Sequence, residues 1–263
     1  MTTTTTTTIT LLLAVGIAAV LAECPKENAP IENCCCLGFN TSVFNKRKSG
    51  VYTMVNFCGV KCYDAEVYCD TGNGGGGGWL VVQRRQDKSV DFNRTWVEYE
   101  DGFSNLRGEF WYGLRALHCL TGQGGWEMRM DHTLDDSTKV FLHYKQFKVA
   151  SASEKYKLNV GGFQGITFDP MVLHNGMNFT TKDSDNDIWP NGNCAINQYG
   201  ASNPAGGWWY SDCYYVSDIK TRYPGNLQSN HVNIGALVLA QLRIKVTSSM
   251  QEKWTFNYDT GIK

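Results

Sequence analysis

The ten cysteines of this 263-residue chain are the feature that most constrains its fold. All of them lie beyond residue 23, behind an apolar run over 9–22. That run is shorter than the roughly 20 residues that cross a bilayer, and small residues at Val20 and Ala22 suit cleavage before Glu23. An even number of cysteines in a secreted chain predicts disulfides rather than thiol chemistry. We therefore expect a signal peptide over 1–22 and a secreted, extracellular protein, with an uncleaved membrane anchor as the alternative.

Charge and composition narrow the class of partner. The net charge is −1, and no basic cluster interleaves with aromatic residues, so nucleic acid is not an expected partner. Hydrophobic residues make up 42% of the chain, which is enough for the core of one large domain. The sequons at Asn40, Asn93 and Asn178 predict N-glycans on surface loops.

The residue patterns divide the chain into a cysteine-rich arm over 23–48, a folded domain over 49–246 and a polar tail over 247–263. Helices are expected over 94–103 and 111–121. Alternating apolar residues predict strands over 51–57, 66–70, 79–85, 126–132, 139–147 and 241–246. A long stretch with little periodicity follows, from about residue 169 to residue 230, and such a stretch is usually functional or held by other means.

No catalytic motif accompanies this organisation. The sequence contains neither H-E-x-x-H nor G-x-S-x-G, and the glycine run over 74–78 lacks the Gly-Lys-Ser/Thr ending of a phosphate-binding loop. Cys58 and Cys62 are one residue too far apart for a CxxC redox pair. We therefore expect a binding protein and not an enzyme.

The segment 180-TTKDSDNDIWPNGNC-194 contains three aspartates at alternate positions, Asp183, Asp185 and Asp187. Carboxylates at this spacing can converge on a calcium ion when the backbone curls around it. An EF-hand that starts at the first aspartate would need glycine and glutamate where Ile188 and Cys194 stand, so the loop is of another type. The residues alone leave a calcium loop and a solvated Asp/Asn-rich turn as equal alternatives.

Several segments in a fixed order carry a family resemblance: 79-WLVVQRRQDKSVDFNRTW-96, 109-EFWYGLRALHCLTGQG-124, 155-KYKLNVGGF-163, 174-HNGMNFTTKDSDND-187, 193-NCA-195 and 207-GWWYSDC-213. Together they resemble the C-terminal globular domain of fibrinogen, which ficolins, tachylectin-like lectins, tenascins and angiopoietins share. The similarity runs from about Ser49 to Val246. It implies an α+β domain with a twisted antiparallel sheet, short helices and a loop-rich region that binds calcium and ligand.

The resemblance assigns Ca²⁺ as the cofactor and places it at the aspartate loop. By position, Asp185 and Asp187 match the two calcium carboxylates of the family, with Asp183 just outside. Main-chain carbonyls complete the family site, and here they would come from Trp189 and from Asn191 or Gly192. The segment 188–193 is one residue longer than in the family, so the choice of carbonyl stays open.

The resemblance also pairs Cys194 with Cys213, which would tie the aspartate loop to 208-WWYSDC-213. In the lectin members an acetyl methyl enters an aromatic-walled pocket, and the peptide before the second cysteine is often cis. By analogy the Asp212–Cys213 peptide is expected to be cis. Trp208 and Trp209 are expected in the core. The expected pocket residues are Tyr210, Asp212, Cys213, Tyr214, Tyr215 and Tyr223.

Two departures from the lectin pattern keep two functions open. Tyr214 stands where many lectin members have histidine, and the segment 229–241 lacks the tryptophan that usually builds the far pocket wall. The tyrosine-rich run over 210–223 favours a lectin for acetylated glycans or other cell-surface carbohydrates, with a role in innate defence. The altered 229–241 segment favours a matrix or signalling module that binds extracellular proteins.

The remaining cysteines are less clearly assigned. Cys69 matches the family cysteine that pairs back to the start of the domain, and Cys62 resembles an extra cysteine of ficolins. Adjacent cysteines do not pair easily within one fold, which favours interchain bridges and a disulfide-linked homo-oligomer. Cys119 stands where the family has a small residue and is expected to be a buried free thiol. The expected partners of Cys69 and Cys62 are among Cys24, Cys34, Cys35 and Cys36.

Overall fold

A computed structural model of the chain describes the residues 49–54, 65–71, 78–87, 89–134, 137, 139–165, 169, 171–196, 206–213, 227–229, 232–234 and 237–247. Several expectations lie outside these ranges. They concern the signal peptide 1–22, the arm 23–48, the tail beyond residue 247, and the side chains of Asn40, Tyr214, Tyr215 and Tyr223.

The described residues form eleven strands, two α-helices and one short 3-10 helix. Neither α-helix is long and apolar enough to cross a membrane, within the part of the chain that is described. In chain order the elements are β1 (Gly50–Met54), β2 (Ala65–Asp70), β3 (Trp79–Arg85), α1 (Trp96–Asp101), β4 (Phe103–Ser104), β5 (Phe110–Trp111), α2 (Leu114–Thr121), β6 (Trp126–Leu134), β7 (Lys139–Val149), the 3-10 helix (Ala152–Glu154), β8 (Leu158–Gln164), β9 (Leu227–Ser229), β10 (Val232–Ile234) and β11 (Leu237–Val246).

One antiparallel sheet dominates the fold, in the strand order β1-β2-β3-β11-β6-β7-β8. The short strands β4 and β5 join it beside β3, while β9 and β10 pair separately. The last strand of the chain, β11, lies in the middle, and Ile244 pairs with Leu80 on one side and with Met128 on the other. The antiparallel sheet with its few short helices confirms the expected α+β class.

Alternation of side chains gives strand β6 one buried face. In β6, Trp126, Met128 and Met130 are buried, while the residues between them are only half-buried. Helix α2 contacts the neighbouring strand β7, where the Thr121 hydroxyl accepts the Val149 N–H at 3.0 Å, and its Leu114 and Leu117 side chains are completely buried in the same core. Each large apolar side chain removed from water in this way stabilises the fold by about 1.5–3 kcal/mol.

Both helices are shorter than predicted because glycines limit them. Gly102 ends α1 with a φ of 87°, and a Cβ there would lie 2.7 Å from the Tyr112 carbonyl oxygen. Gly113, with a φ of 108°, separates strand β5 from α2, so the helix expected over 111–121 begins only at Leu114. At its start, α1 has a capping box in which Thr95 and Glu98 satisfy each other's backbone N–H groups.

An aromatic cluster joins the sheet and helices to the segment 171–213. The ring centroids of Trp111 and Phe179 are 5.9 Å apart, those of Phe179 and Trp209 are 5.0 Å apart, and those of Tyr99 and Phe179 are 5.2 Å apart. Trp208 and Trp209 are each only 1% exposed, which confirms that they belong to the core.

The expectation of a free thiol at Cys119 is wrong. Cys119 is disulfide-bonded, as is Cys69 in β2. The side chain of Cys119 lies half-buried on α2, so its sulfur is not sealed in the core as the prediction required. Spacing along the chain does not indicate which cysteine comes close to Cys119 in the fold.

Candidate cation and ligand site

The aspartate loop, residues 180–196, begins at a short bridge to residues 206–213. These residues contain most of the predicted ligand-binding positions that the structure describes and form the ligand segment. The Thr180 N–H donates to the Trp208 carbonyl at 2.8 Å, and the Trp208 N–H donates back to the Thr180 carbonyl at 3.0 Å. Two stretches of chain without regular secondary structure are thereby held side by side. This bridge sets the relative position of the segments 180–196 and 206–213.

Asn186 curls the loop between the two predicted calcium carboxylates. Its side-chain amide donates to the Phe179 carbonyl at 2.9 Å and to the Ser184 carbonyl at 3.2 Å. Its backbone N–H donates to the Thr180 hydroxyl at 3.1 Å. Sequence analysis missed this residue, although an asparagine between two aspartates is typical of a turn whose side chain bonds its own backbone.

Asp187 is fixed from two directions. One carboxylate oxygen accepts the Trp189 N–H and the other accepts the Cys194 N–H, each at 2.9 Å. Burial raises the pKa of the Asp187 carboxyl, and the neighbouring Asp185 carboxyl raises that pKa further. The two backbone hydrogen bonds only partly oppose this rise. The site is therefore electrostatically unfavourable for two carboxylates alone and would be relieved by a cation.

The donor set fits a hard cation such as Ca²⁺. Asp185 is exposed and Asp187 is half-buried, so one face of the pair is open to solvent. Within the described residues no group of three or more His, Cys, Asp and Glu side chains could hold a metal ion, so further ligands at this loop would have to be backbone carbonyls or water. The predicted carbonyl donors follow directly, with Trp189 half-buried and Asn191 and Gly192 exposed. A Cβ on Gly192 would lie 3.0 Å from the Trp189 ring, so glycine permits this close approach.

Two links connect the aspartate loop to the ligand segment beyond the bridge. Cys194 and Cys213 form a disulfide with a Cα–Cα distance of 5.2 Å. The Ile188 N–H donates to the Ser211 carbonyl at 3.0 Å. The carboxylates and the predicted ligand segment consequently form one structural unit.

The ligand segment itself differs from expectation at two positions. Tyr210 is completely buried and its hydroxyl donates to the Gly206 carbonyl at 2.8 Å, so it belongs to the core and offers a ligand no surface. The described residues contain no cis peptide bond, so the expected cis Asp212–Cys213 peptide is wrong. The chain turns instead through Cys213 in the left-handed region, with a φ of 62°. Asp212 remains half-buried at the surface.

His174 contacts the backbone of the ligand segment, and this contact was not predicted. Its Nδ1 lies 2.7 Å from the Trp209 carbonyl oxygen, and since a carbonyl only accepts, the ring nitrogen donates. The imidazole is completely buried. A lone histidine far from the segment in sequence gave no signal for this contact.

The two described sequons lie near this unit. Asn93 and Asn178 are both half-buried, the Thr95 of the first sequon caps α1, and the Thr180 of the second forms the bridge. N-glycans at these positions stay predictions.

Comparison with known proteins finds one globular-domain family that covers most of the chain. The family model described as "Fibrinogen beta and gamma chains, C-terminal globular domain" matches residues 40–251. Tenascin-R from Rattus norvegicus is 40% identical over 185 residues, which are 70% of this chain and 13% of tenascin-R. Ficolin-3 from Homo sapiens is 44% identical over 158 residues, which are 60% of this chain and 50% of ficolin-3. The chain thus matches half or less of the length of these relatives.

Solved structures agree with this fold. The fibrinogen-like globe domain of human ANGPTL6 superposes with a TM-score of 0.68 at 29% identity, covering 85% of this chain and 99% of that domain. A lamprey fibrin D-dimer complexed with the peptide ligand Gly-His-Arg-Pro-amide gives a TM-score of 0.62 at 26% identity, covering 83% of this chain and 74% of that one.

Proposed function

The chain belongs to the family of the C-terminal globular domains of fibrinogen beta and gamma chains, and we propose that it is a secreted, calcium-stabilised, lectin-like recognition protein and not an enzyme. Its proposed ligands are acetylated glycans or other cell-surface carbohydrates, bound in innate immune recognition. The similarity to ficolin-3 supports the lectin class. Fold alone does not decide between sugar and protein ligands.

The observation that carries the proposal is the direct connection between the aspartate loop and the ligand segment. Asp187 accepts the backbone N–H of Cys194, and the sulfur of Cys194 is bonded to Cys213. Ordering of the loop by a cation would therefore be transmitted to Asp212 and Cys213 through one residue and one disulfide.

In this proposal Asp185 and Asp187 hold the calcium ion together with the carbonyls of Trp189 and of Asn191 or Gly192. A bound ion would supply positive charge that neutralises the two carboxylates and orders the loop. The chain's own residues do the rest: the Asn186 amide keeps the turn closed, and the half-buried Asp212 presents its polar edge to the ligand.

Aromatic side chains complete the proposed pocket. Tyr214, Tyr215 and Tyr223 follow the disulfide in sequence, and tyrosine combines a rigid apolar ring with a polar group at its end. This combination suits an acetyl group, whose methyl needs an apolar wall and whose carbonyl needs a hydrogen-bond donor. Trp208, Trp209 and Tyr210 would support the pocket from the core.

The test is retention of the purified protein on acetylated and non-acetylated resin, each with calcium and with EDTA. We expect retention only on the acetylated resin and release by EDTA. Asp185→Asn should abolish retention, whereas Asp91→Asn, which removes an exposed carboxylate from a different loop, should leave it unchanged. Equal retention on both resins, or retention indifferent to EDTA, would contradict the proposal.

A second candidate is a module that binds extracellular proteins without binding sugar. Ile188 and Ile196 on the aspartate loop are 62% and 53% exposed, and exposed apolar side chains at a binding loop suit a protein surface. The similarity to tenascin-R points the same way. No retention on acetylated resin, in protein whose melting temperature still rises with calcium, would favour this candidate.

Assembly is a separate part of the proposal. Cysteines are abundant in the arm 23–48, and interchain bridges there would make a disulfide-linked homo-oligomer. Electrophoresis of the secreted protein with and without reductant tests this, since a monomer under both conditions would contradict it.

A further inference from the structure

Asp183, the first aspartate of the loop, contacts the start of α1. One of its carboxylate oxygens accepts the backbone N–H of Trp96 at 2.8 Å. The same oxygen accepts the Thr181 hydroxyl at 2.8 Å. Trp96 is the first residue of α1 and lies 87 positions earlier in the chain, so this contact fastens the loop to a distant, separately folded element.

The residue beside Asp183 makes a second contact with the same turn. The Lys182 ammonium donates to the Asn93 carbonyl at 2.8 Å. The far end of the loop returns to this place as well, because the Asn193 side-chain amide donates to the Thr181 carbonyl at 2.8 Å. Both ends of the aspartate loop therefore converge at residues 181–183, and that point is anchored to the start of α1.

The anchor is itself rigid. The Thr95 and Glu98 capping box fixes the first turn of α1. The Trp96 ring lies 5.8 Å from the Tyr156 ring and 6.3 Å from the Phe179 ring, measured between centroids. A loop that starts from such a point has fewer conformations to lose when it binds an ion, and this preorganisation increases affinity.

We propose that Asp183 is the positioning residue of the calcium site: it holds the loop against α1 so that Asp185 and Asp187 are in place, and it does not bind the ion. This inference rests on the calcium site of the proposed function. The two hydrogen bonds that Asp183 accepts account for the orientation of its carboxylate. Asp185, two positions later, is instead proposed to bind the ion.

Two substitutions at one position separate positioning from ligation. Asp183→Asn keeps a side-chain oxygen that accepts both hydrogen bonds but removes the charge, whereas Asp183→Ala removes both. Calcium affinity of the full chain is measured by calorimetry, and the exchange rate of the Trp96 amide proton is measured by hydrogen–deuterium exchange in EDTA. Asp91→Asn serves as the control, because it removes a nearby exposed carboxylate that contacts only its own turn.

We expect Asp183→Ala to weaken calcium binding on the order of tenfold, the loss typical of one or two ordinary hydrogen bonds. Its Trp96 amide should exchange faster even without calcium. Asp183→Asn and Asp91→Asn should both bind calcium within about twofold of the wild type, by the same reasoning. Circular dichroism of each variant establishes that it is folded.

Equal losses in Asp183→Asn and Asp183→Ala would overturn the inference, because the charge and not the hydrogen bonds would then matter. Unchanged calcium affinity in Asp183→Ala would overturn it too. A wild-type protein that binds no calcium would refute the calcium site itself, which distinguishes failure of the proposed function from failure of this inference.

Discussion

The sheet and the loop-rich segment 171–213 are stabilised by different kinds of contact. In the sheet, backbone pairing runs through long registers such as β6 with β11, and the buried face is apolar. In the loop-rich segment, individual hydrogen bonds replace a strand ladder: the Asn186 and Asn193 side-chain amides donate to backbone carbonyls, and the Asp187 carboxylate accepts a backbone N–H. A disulfide closes the far end. Loss of one contact should therefore have different effects on the stability of the two regions.

This difference suits a binding protein. A sheet distributes its stabilisation over many equivalent contacts, so it tolerates local change. A loop held by a few polar contacts can present carboxylates and carbonyls in one direction, which a regular strand does not do because its backbone groups are paired. Substitutions in each region can show where the sheet ends and the loop-rich segment begins as a stability unit.

The largest effect is expected at Trp111, which touches both regions. Its ring packs against Phe179 and Trp209, and its indole N–H donates to the Tyr99 carbonyl at 2.9 Å. Trp111→Ala should lower the free energy of unfolding by about 3–5 kcal/mol, the cost of a large cavity in a packed core. Chemical denaturation followed by near- and far-ultraviolet circular dichroism should give one shared transition.

The matched control is Val97→Ala on α1. Val97 is 57% exposed, so its truncation should change the free energy of unfolding by less than about 0.5 kcal/mol. Two separate transitions in the wild-type protein would contradict the view that the aromatic cluster makes the two regions one cooperative unit.

The second-largest effect is expected from removal of the disulfide, and it should be confined to the loop-rich segment. The disulfide between Cys194 and Cys213 closes a loop with a sequence separation of 19, and chain entropy assigns such a crosslink about 3 kcal/mol. In the double variant Cys194→Ser, Cys213→Ser, hydrogen exchange should accelerate at the Cys194 and Ile188 positions and stay slow in β6 and β7. Equal acceleration in the sheet would erase the distinction between the regions.

The sheet has its own sensitivity to acid at His132 in β6. Burial of this side chain, which is 3% exposed, lowers the pKa of His132 to about 4, and the nearby Asp131 only partly opposes the shift. The unfolded chain has a histidine pKa of about 6.5, so it takes up the proton first. Stability is therefore lost as the pH falls from about 6.5 towards 4, by about 2 kcal/mol at pH 5.

His132→Gln isolates this contribution, because carboxylates elsewhere titrate in both proteins. Urea denaturation at pH 8 and pH 5 should show a smaller loss of stability in the variant than in the wild type. Identical losses in the two proteins would mean that His132 is not kept neutral by the sheet.

Sequence patterns predicted the sheet far better than the site. The alternation of Trp126, Met128 and Met130 identifies a strand and its buried face because both depend on neighbours two positions away. The central place of β11 between β3 and β6 is set by pairings across most of the chain, and no local pattern encodes them. The helix boundary at Gly113 was missed because its φ of 108° is a property of the folded backbone.

At the site, the residue types were readable and their partners were not. Asp185 and Asp187 stand out by their spacing, but the hydrogen bond that Asp183 accepts from the Trp96 N–H spans 87 positions. The aromatic residues of 208–213 suggested a pocket, yet alternation does not apply in an irregular segment, so burial of Tyr210 could not be foreseen. The bonded state of Cys119 likewise depends on proximity and not on sequence spacing.

The smallest change in stability is expected at Tyr210. It tests whether this side chain belongs to the core or to the binding surface. Tyr210→Phe removes one buried hydrogen bond, from the hydroxyl to the Gly206 carbonyl, and should cost about 1 kcal/mol of unfolding free energy. Because Tyr210 is completely buried, retention on acetylated resin should not change. Asp212→Asn should do the reverse, since Asp212 lies half-buried at the surface: little change in stability and weaker retention. Loss of retention in Tyr210→Phe at unchanged stability would place Tyr210 in the binding surface and shift the boundary of the core.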